Sequence, residues 1–228
     1  MTLEMRSAVV SLEVTAHESL KDPCTELWFI EPPGFTALPL GALLAEPDTP
    51  EADRLHATAA PLLASAPNEM SRQQFIALLA AGQRMLGALR EHGTVHCSIG
   101  LHRDDIGGSA EPLLSLFTIT WQDTATAPRA ATAARAVTGP GGHRRVEYLE
   151  QSCGPVTISE SVRRPETDSP LPHHPLLQIH AHLPHPDCKR LAVLTVSTVT
   201  VARREEYRAV LRGIVETVRF EDPLGAAS

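Results

Sequence analysis

The chain has 228 residues, 43% hydrophobic and 21% charged, with a formal net charge of -7. That length fits one domain, residues 1–228, with a sizeable core. The acidic balance argues against a general nucleic-acid binder, which needs a basic face to displace counterions from phosphates; the dense pair Arg144-Arg145 is itself flanked by Glu147 and Glu150.

Residues 1–20 carry no basic stretch followed by an apolar one, and their apolar residues (Ala8, Val10, Leu12, Val14) alternate as in a strand. No run approaches the ~20 apolar residues that span a bilayer. A cytoplasmic protein without a membrane span is therefore expected. Cys24, Cys97, Cys153 and Cys188 are scattered and form no C-x-x-C pair, so reduced thiols are expected. Lysine occurs only at Lys21 and Lys189, a bias that points to a high-GC bacterial genome.

The first elements read as strands around Val9–Val14 and Thr25–Ile30. The second runs into Glu31-Pro32-Pro33-Gly34-Phe35, a rigid turn that sends Trp28 or Phe35 toward the core, and Leu38-Pro39-Leu40 continues as extended chain. Thr49-Pro50-Glu51 supplies an N-cap, first position and first-turn acid for a helix interrupted or kinked at Pro61 and finished by Pro67. A second helix follows over Ser71–His92. Ser71 and Gln74 form a capping box, Met70 staples onto Phe75, and Phe75, Leu78, Leu79, Gly82, Met85, Leu86 and Leu89 keep helical spacing up to the Gly93 stop.

Strands at Val95–Leu101 and Leu113–Trp121 come next, then a small-residue helix over Ala127–Val137 and strands at Arg145–Leu149 and Val156–Val162. After the Pro-rich stretch 165–175, Leu177, Ile179, Ala181 and Leu183 alternate with Gln178, His180 and His182, as in a half-buried strand. Pro184-His185-Pro186-Asp187 makes the turn into a β-branched run, Leu191–Val201. Tyr207, Val210, Leu211, Ile214, Val215 and Val218 then share one face of a helix over Arg203–Thr217. Arg203, Arg204, Glu205, Glu206, Arg208 and Arg212 lie outside that stripe. The order β-β-α-α-β-β-α-β-β-β-β-α, with short turns between successive strands, predicts an α+β fold with a central antiparallel sheet covered by helices.

The segment Trp28-Phe29-Ile30-Glu31-Pro32-Pro33-Gly34-Phe35 resembles part of the PsbP-like superfamily. So do the turn His185-Pro186-Asp187 and the closing stretch from Leu191-Ala192-Val193-Leu194-Thr195-Val196-Ser197-Thr198 to Ile214-Val215-Glu216-Thr217-Val218-Arg219-Phe220. That superfamily groups PsbP, the Ran-binding Mog-type proteins, the DcrB proteins and actinobacterial relatives. The resemblance implies an αβα sandwich around an antiparallel sheet, and members that are mostly non-enzymatic binding or assembly factors. No partner-binding motif of the family can be matched, so no functional residue is carried over.

The candidate chemistry is sparse. His180 and His182, two apart on a strand, project from one face, and with His185 or Cys188 from the turn they could approach a tetrahedral zinc site. Against this, Ile179 and Ala181 face inward, which leaves His180 and His182 on the outer face, under a helix or in solvent. No H-E-x-x-H or paired C-x-x-C accompanies them. Cys97 lies beside His96 but on the opposite strand face, together with Val95, Ile99 and Leu101, and reads as a buried structural thiol. Glu147 and Glu150 near His143 read as exposed strand-edge charges. Gly107-Gly108-Ser109 and Gly139-Pro140-Gly141-Gly142 lack phosphate-loop spacing, and G-x-S-x-G is absent.

The leading expectation is a non-enzymatic, cofactor-free cytoplasmic module acting through protein–protein interaction, linked by analogy to an envelope or secretion system. The alternative is a metal-binding protein or small metalloenzyme using zinc at His180, His182, His185 and Cys188. A third reading is an enzyme with an unrecognised nucleophile.

Overall fold

A computed structural model describes residues 27–46, 48–64, 68–103, 112–139, 142–164 and 175–221. Among these residues seven strands form one sheet: β1 Phe35–Ala37, β2 Thr94–Arg103, β3 Pro112–Asp123, β4 Arg144–Gln151, β5 Gly154–Arg163, β6 Leu176–Pro184 and β7 Arg190–Thr198. Their spatial order is β1-β2-β3-β7-β6-β5-β4, and every neighbouring pair is antiparallel. The helices are α1 Leu40–Leu43, α2 Pro50–Ala64, α3 Glu69–Glu91, α4 Arg129–Thr138 and α5 Arg204–Thr217. The expected α+β class with an antiparallel sheet is thus the one observed. No helix of the described residues is long and apolar enough to cross a membrane.

Period-two alternation sorts the sheet into two unlike faces. On one, Phe117, Ile119, Val156, Ile158, Ile179, Ala181, Leu194 and Val196 are fully buried against Tyr207, Leu211, Ile214 and Val215 of α5. These four helix positions recur at the spacing of an amphipathic stripe, so burying it against the strands is what fixes α5 to the sheet. On the other face, α4 packs on β5 and β6, with the Thr157 hydroxyl donating to the Ala133 carbonyl at 3.0 Å. Further along, Cys97 of β2 lies under Leu40 of α1 and Leu86 of α3 in a second, smaller apolar cluster. Between these two covered regions the sheet presents His180, His182 and a row of hydroxyls.

Several expectations are corrected. Residues 1–26, which hold the first expected strand and the first two residues of the second, lie outside the described residues. Among the described residues, 27–30 make one bridge, Trp28 to Arg219, and it ties the start of the described chain to the segment after α5. The Pro32–Phe35 turn is as expected: Gly34 has φ +82, and Phe35 enters the core. The extended chain expected at Leu40 is instead the start of α1. Thr49 caps α2 by accepting the Ala52 N–H at 3.2 Å, but the helix continues past Pro61 to Ala64. The next helix begins at Glu69 rather than at a Ser71 cap, because Asn68 precedes it and its carbonyl accepts the Arg72 N–H. Met85, expected in the core, is 48% exposed, and Ile99 is half-buried. Cys97, Val193, Tyr207, Leu211 and Ile214 are buried as expected; the side chains of Phe75 and Leu79 lie outside the described residues. A register shift between Thr94 and His96 lets Val95 pack against the α5-side core and not beside Cys97. Finally, Val199–Val201 is not strand; β7 stops at Thr198 and a short 3-10 turn, Val201–Arg203, leads into α5.

Candidate functional site

Pairing of β5, β6 and β7 builds the site. Across the ladders His182 stands opposite Thr157 and Val193, and His180 opposite Ser159 and Thr195. Because side chains alternate, Thr157, Ser159 and Ser161 fall on the same face as both imidazoles. The chain entering β4 adds His143, whose Nδ1 lies 2.9 Å from the Ser159 hydroxyl. The three rings then meet edge to face, with centroids 5.6 Å apart for His143–His180, 5.4 Å for His143–His182 and 6.0 Å for His180–His182. They line a cleft of about 290 Å³, walled by Gln122 of β3, Ala136 of α4, Arg163 of β5 and Val193 of β7.

Hydrogen bonds hold the rings in place. His180 Nδ1 lies 3.0 Å from the Thr195 hydroxyl and its Nε2 lies 3.3 Å from that of Ser161. His182 Nδ1 lies 3.3 Å from the Thr157 carbonyl oxygen. A carbonyl only accepts, so this nitrogen carries the proton and Nε2 of the neutral ring is an acceptor. Burial, then the neighbouring His182, His143 and Arg163, push the His180 imidazole down to about 3. Burial, opposed by the bond to Thr157 and reinforced by His143, pushes His182 down to about 4. Both rings are therefore uncharged at neutral pH.

The sequence-derived metal set does not come together. His180 and His182 sit in the cleft. His185, in the turn after β6, instead packs edge to face on Trp121 and Phe220, with its Nδ1 3.0 Å from an Asp187 oxygen. Cys188 holds the left-handed position of that turn, φ 60, and its Sγ lies 3.6 Å from the Pro186 carbonyl oxygen. Asp187 organises the turn by accepting the Lys189 N–H and the Arg190 guanidinium. Burial raises its carboxyl pKa, but those bonds outweigh it and hold the group well below the usual carboxylate range. His185 and Cys188 therefore belong to a turn lock. Among the described residues no group of three or more His, Cys, Asp or Glu side chains is placed to hold a metal ion.

The other candidates also find structural partners. Cys97 is fully buried, and burial together with Glu31 pushes its thiol up to about 12, which makes it a poor nucleophile at neutral pH. Cys97, Cys153 and Cys188 are all free thiols. Glu147, read as an edge charge, is clasped by Arg208 at 3.1 Å and Arg212 at 2.6 Å from α5. Arg204, one turn earlier, pairs with the buried Glu160 at 3.0 Å. The spacing of Arg204, Arg208 and Arg212 by four carried that signal in the sequence, because it lays them in one row along the helix. Ser161 and His180 form a hydroxyl–imidazole pair, but Thr195 and no carboxylate holds the far nitrogen. A base whose conjugate acid has a pKa near 3 draws a serine proton weakly.

Sequence reasoning missed His143, Ser161 and Arg163. The alternation Thr157-Ser159-Ser161 was readable as a polar strand face. The position of His143 depends on how β4 pairs with β5, including the irregularity between Arg144 and Glu147. Compared with protein-family models, curated proteins and solved structures, the chain matches none of them.

Proposed function

We propose that this chain is a non-enzymatic binding and accessory module, built on a PsbP-like αβα sandwich, that works without a resident cofactor and recognises another protein through the histidine-lined cleft. The observation that carries this reading is the polar cleft itself: among the described residues, His143, His180 and His182 are set among hydroxyls on the sheet face between α3 and α4. Clefts that concentrate a few oriented polar groups are where proteins recognise ligands. The weak basicity of His180 favours recognition over catalysis. A cytoplasmic location and a link to an envelope or secretion system belong to the same proposal and rest on the family resemblance.

The test is site-specific photocrosslinking in the native cells, with the crosslinker placed at Gln122 on the cleft wall and, as control, at exposed Glu216 on α5. A discrete adduct is expected from Gln122 and not from Glu216, and Ala136→Trp, which fills the cleft, should abolish it. Equal adducts from both positions, or an adduct that survives Ala136→Trp, would contradict the proposal.

A further inference from the structure

Among the described residues, the charged side chain lining the cleft is basic. The chain carries 27 acidic side chains against 20 Lys and Arg, yet among the described residues no carboxylate lines this wall. Arg163 does line it, exposed, and among the described residues its guanidinium has no carboxylate partner. Several other arginines of the sheet and α5 are already paired. Arg145, Arg190, Arg204, Arg208 and Arg212 each pair with an Asp or Glu. An exposed guanidinium at the rim of a cleft lined by imidazoles and hydroxyls, with no carboxylate partner among the described residues, matches an oxygen anion.

We propose that the cleft binds an oxyanion, a carboxylate or phosphate group, with Arg163 as its counter-charge and His143 and His182 as hydrogen-bonding walls. This rests on the cleft being the recognition site. His143 is anchored through Nδ1 to Ser159, which leaves Nε2 for the ligand. His182 is anchored through Nδ1 to Thr157, so its Nε2 accepts while the ring is neutral and donates once the ring is protonated.

Binding is therefore linked to proton uptake. Among the described residues, the groups facing His180 and His182 are His143 before β4, Arg163 and Ser161 on β5, Thr195 on β7, Thr120 and Gln122 on β3, and Ala136 on α4. None of them is an acid, and the charged ones oppose protonation. A bound anion reverses that field, which makes the protonated rings less costly and binding tighter as pH falls.

The test uses the full chain and ring-nitrogen NMR of its histidines at constant ionic strength. Inorganic phosphate, acetate and a short glutamate-rich peptide are titrated in turn, with zinc as a separate arm. Saturable shifts confined to the cleft imidazoles are expected, with affinity rising up to about tenfold for each pH unit lowered. Arg163→Gln should weaken binding about tenfold, and Arg163→Lys should restore part of it. Peptide tighter than acetate assigns the anion to an acidic segment of a partner protein, and phosphate tighter than both assigns it to a free anion; either supports the oxyanion site. Shifts that are absent, insensitive to Arg163→Gln or to pH, or produced by zinc alone would overturn it. Loss of the Gln122 adduct in Ala136→Trp without any anion binding would leave the recognition reading standing and remove this one.

Discussion

His180 stands directly across the β6–β7 ladder from Thr195, and its Nδ1 lies 3.0 Å from the Thr195 hydroxyl. This pairing, with Ser161 on the far nitrogen, satisfies an imidazole within the sheet without charging it. Folding therefore carries a pH signature. The unfolded ring takes a proton near 6.5, whereas His180 and His182 resist protonation until about 3 and about 4. Between those limits the unfolded state binds more protons, so stability falls as pH drops below about 6.5. His180→Gln combined with His182→Gln should flatten this acid slope in urea melts. A slope unchanged by the double substitution would contradict the assignment.

The clasp of Glu147 by Arg208 and Arg212 ties β4 to α5. Burial raises the Glu147 carboxyl pKa, but the hydrogen bonds and charges of the two arginines outweigh it and leave it lowered. A lowered carboxyl stabilises the fold above its unfolded pKa, and that contribution is lost as pH falls through the folded value. Glu147→Gln should cost about 1–2 kcal/mol near neutral pH, since Glu147 is partly solvated while Arg208 is left without its partner. The variant and the parent should converge only once pH has fallen below that lowered folded value. Equal destabilisation at all pH values would assign the loss to packing.

In the core, Leu211 is fully buried between α5 and the strands. Leu211→Ala should cost about 2–5 kcal/mol in denaturant melts, as cavity-forming truncations do. Gly100 gives a complementary test: a Cβ there would stand 2.7 Å from Cζ of Phe35. Gly100→Ala should cost about 1–3 kcal/mol by displacing that ring. A neutral effect of either substitution would mean that the two faces of the sheet are wrongly assigned.

The strands of the second half, the turn at Pro184–Asp187 and the apolar stripe of α5 were legible in the sequence because each is a local periodicity. Ile179 and Ala181 against His180 and His182 show this well: alternation alone separated core from outer face. What was not legible depends on pairing between distant segments. Nothing near His143 indicates that it will lie on Ser159, and nothing near Glu147 indicates two arginines about sixty residues away on α5. The turn residues His185 and Cys188 drew attention because they are close in sequence to His182. Yet one strand end is enough to carry a ring past the cleft and onto Trp121.

The thiols are expected to separate by burial. Cys188 is half-exposed, whereas Cys97 is fully buried with its pKa pushed up to about 12 and Cys153 is buried with its pKa raised. In native protein Cys188 should react with a disulfide reagent well before Cys97 or Cys153. Cys24 lies outside the described residues. After unfolding without reductant all four thiols should react, and a yield of two would contradict the expected reducing compartment.

The central claim is that His143, His180 and His182 form one imidazole cluster in a cleft on the sheet's polar face. Ring-nitrogen NMR through an acid titration tests it most directly. His180 and His182 are expected to remain neutral, each with one protonated nitrogen, down to about 4. If both instead titrate near 6.5, as solvated imidazoles do, the cluster does not exist in solution.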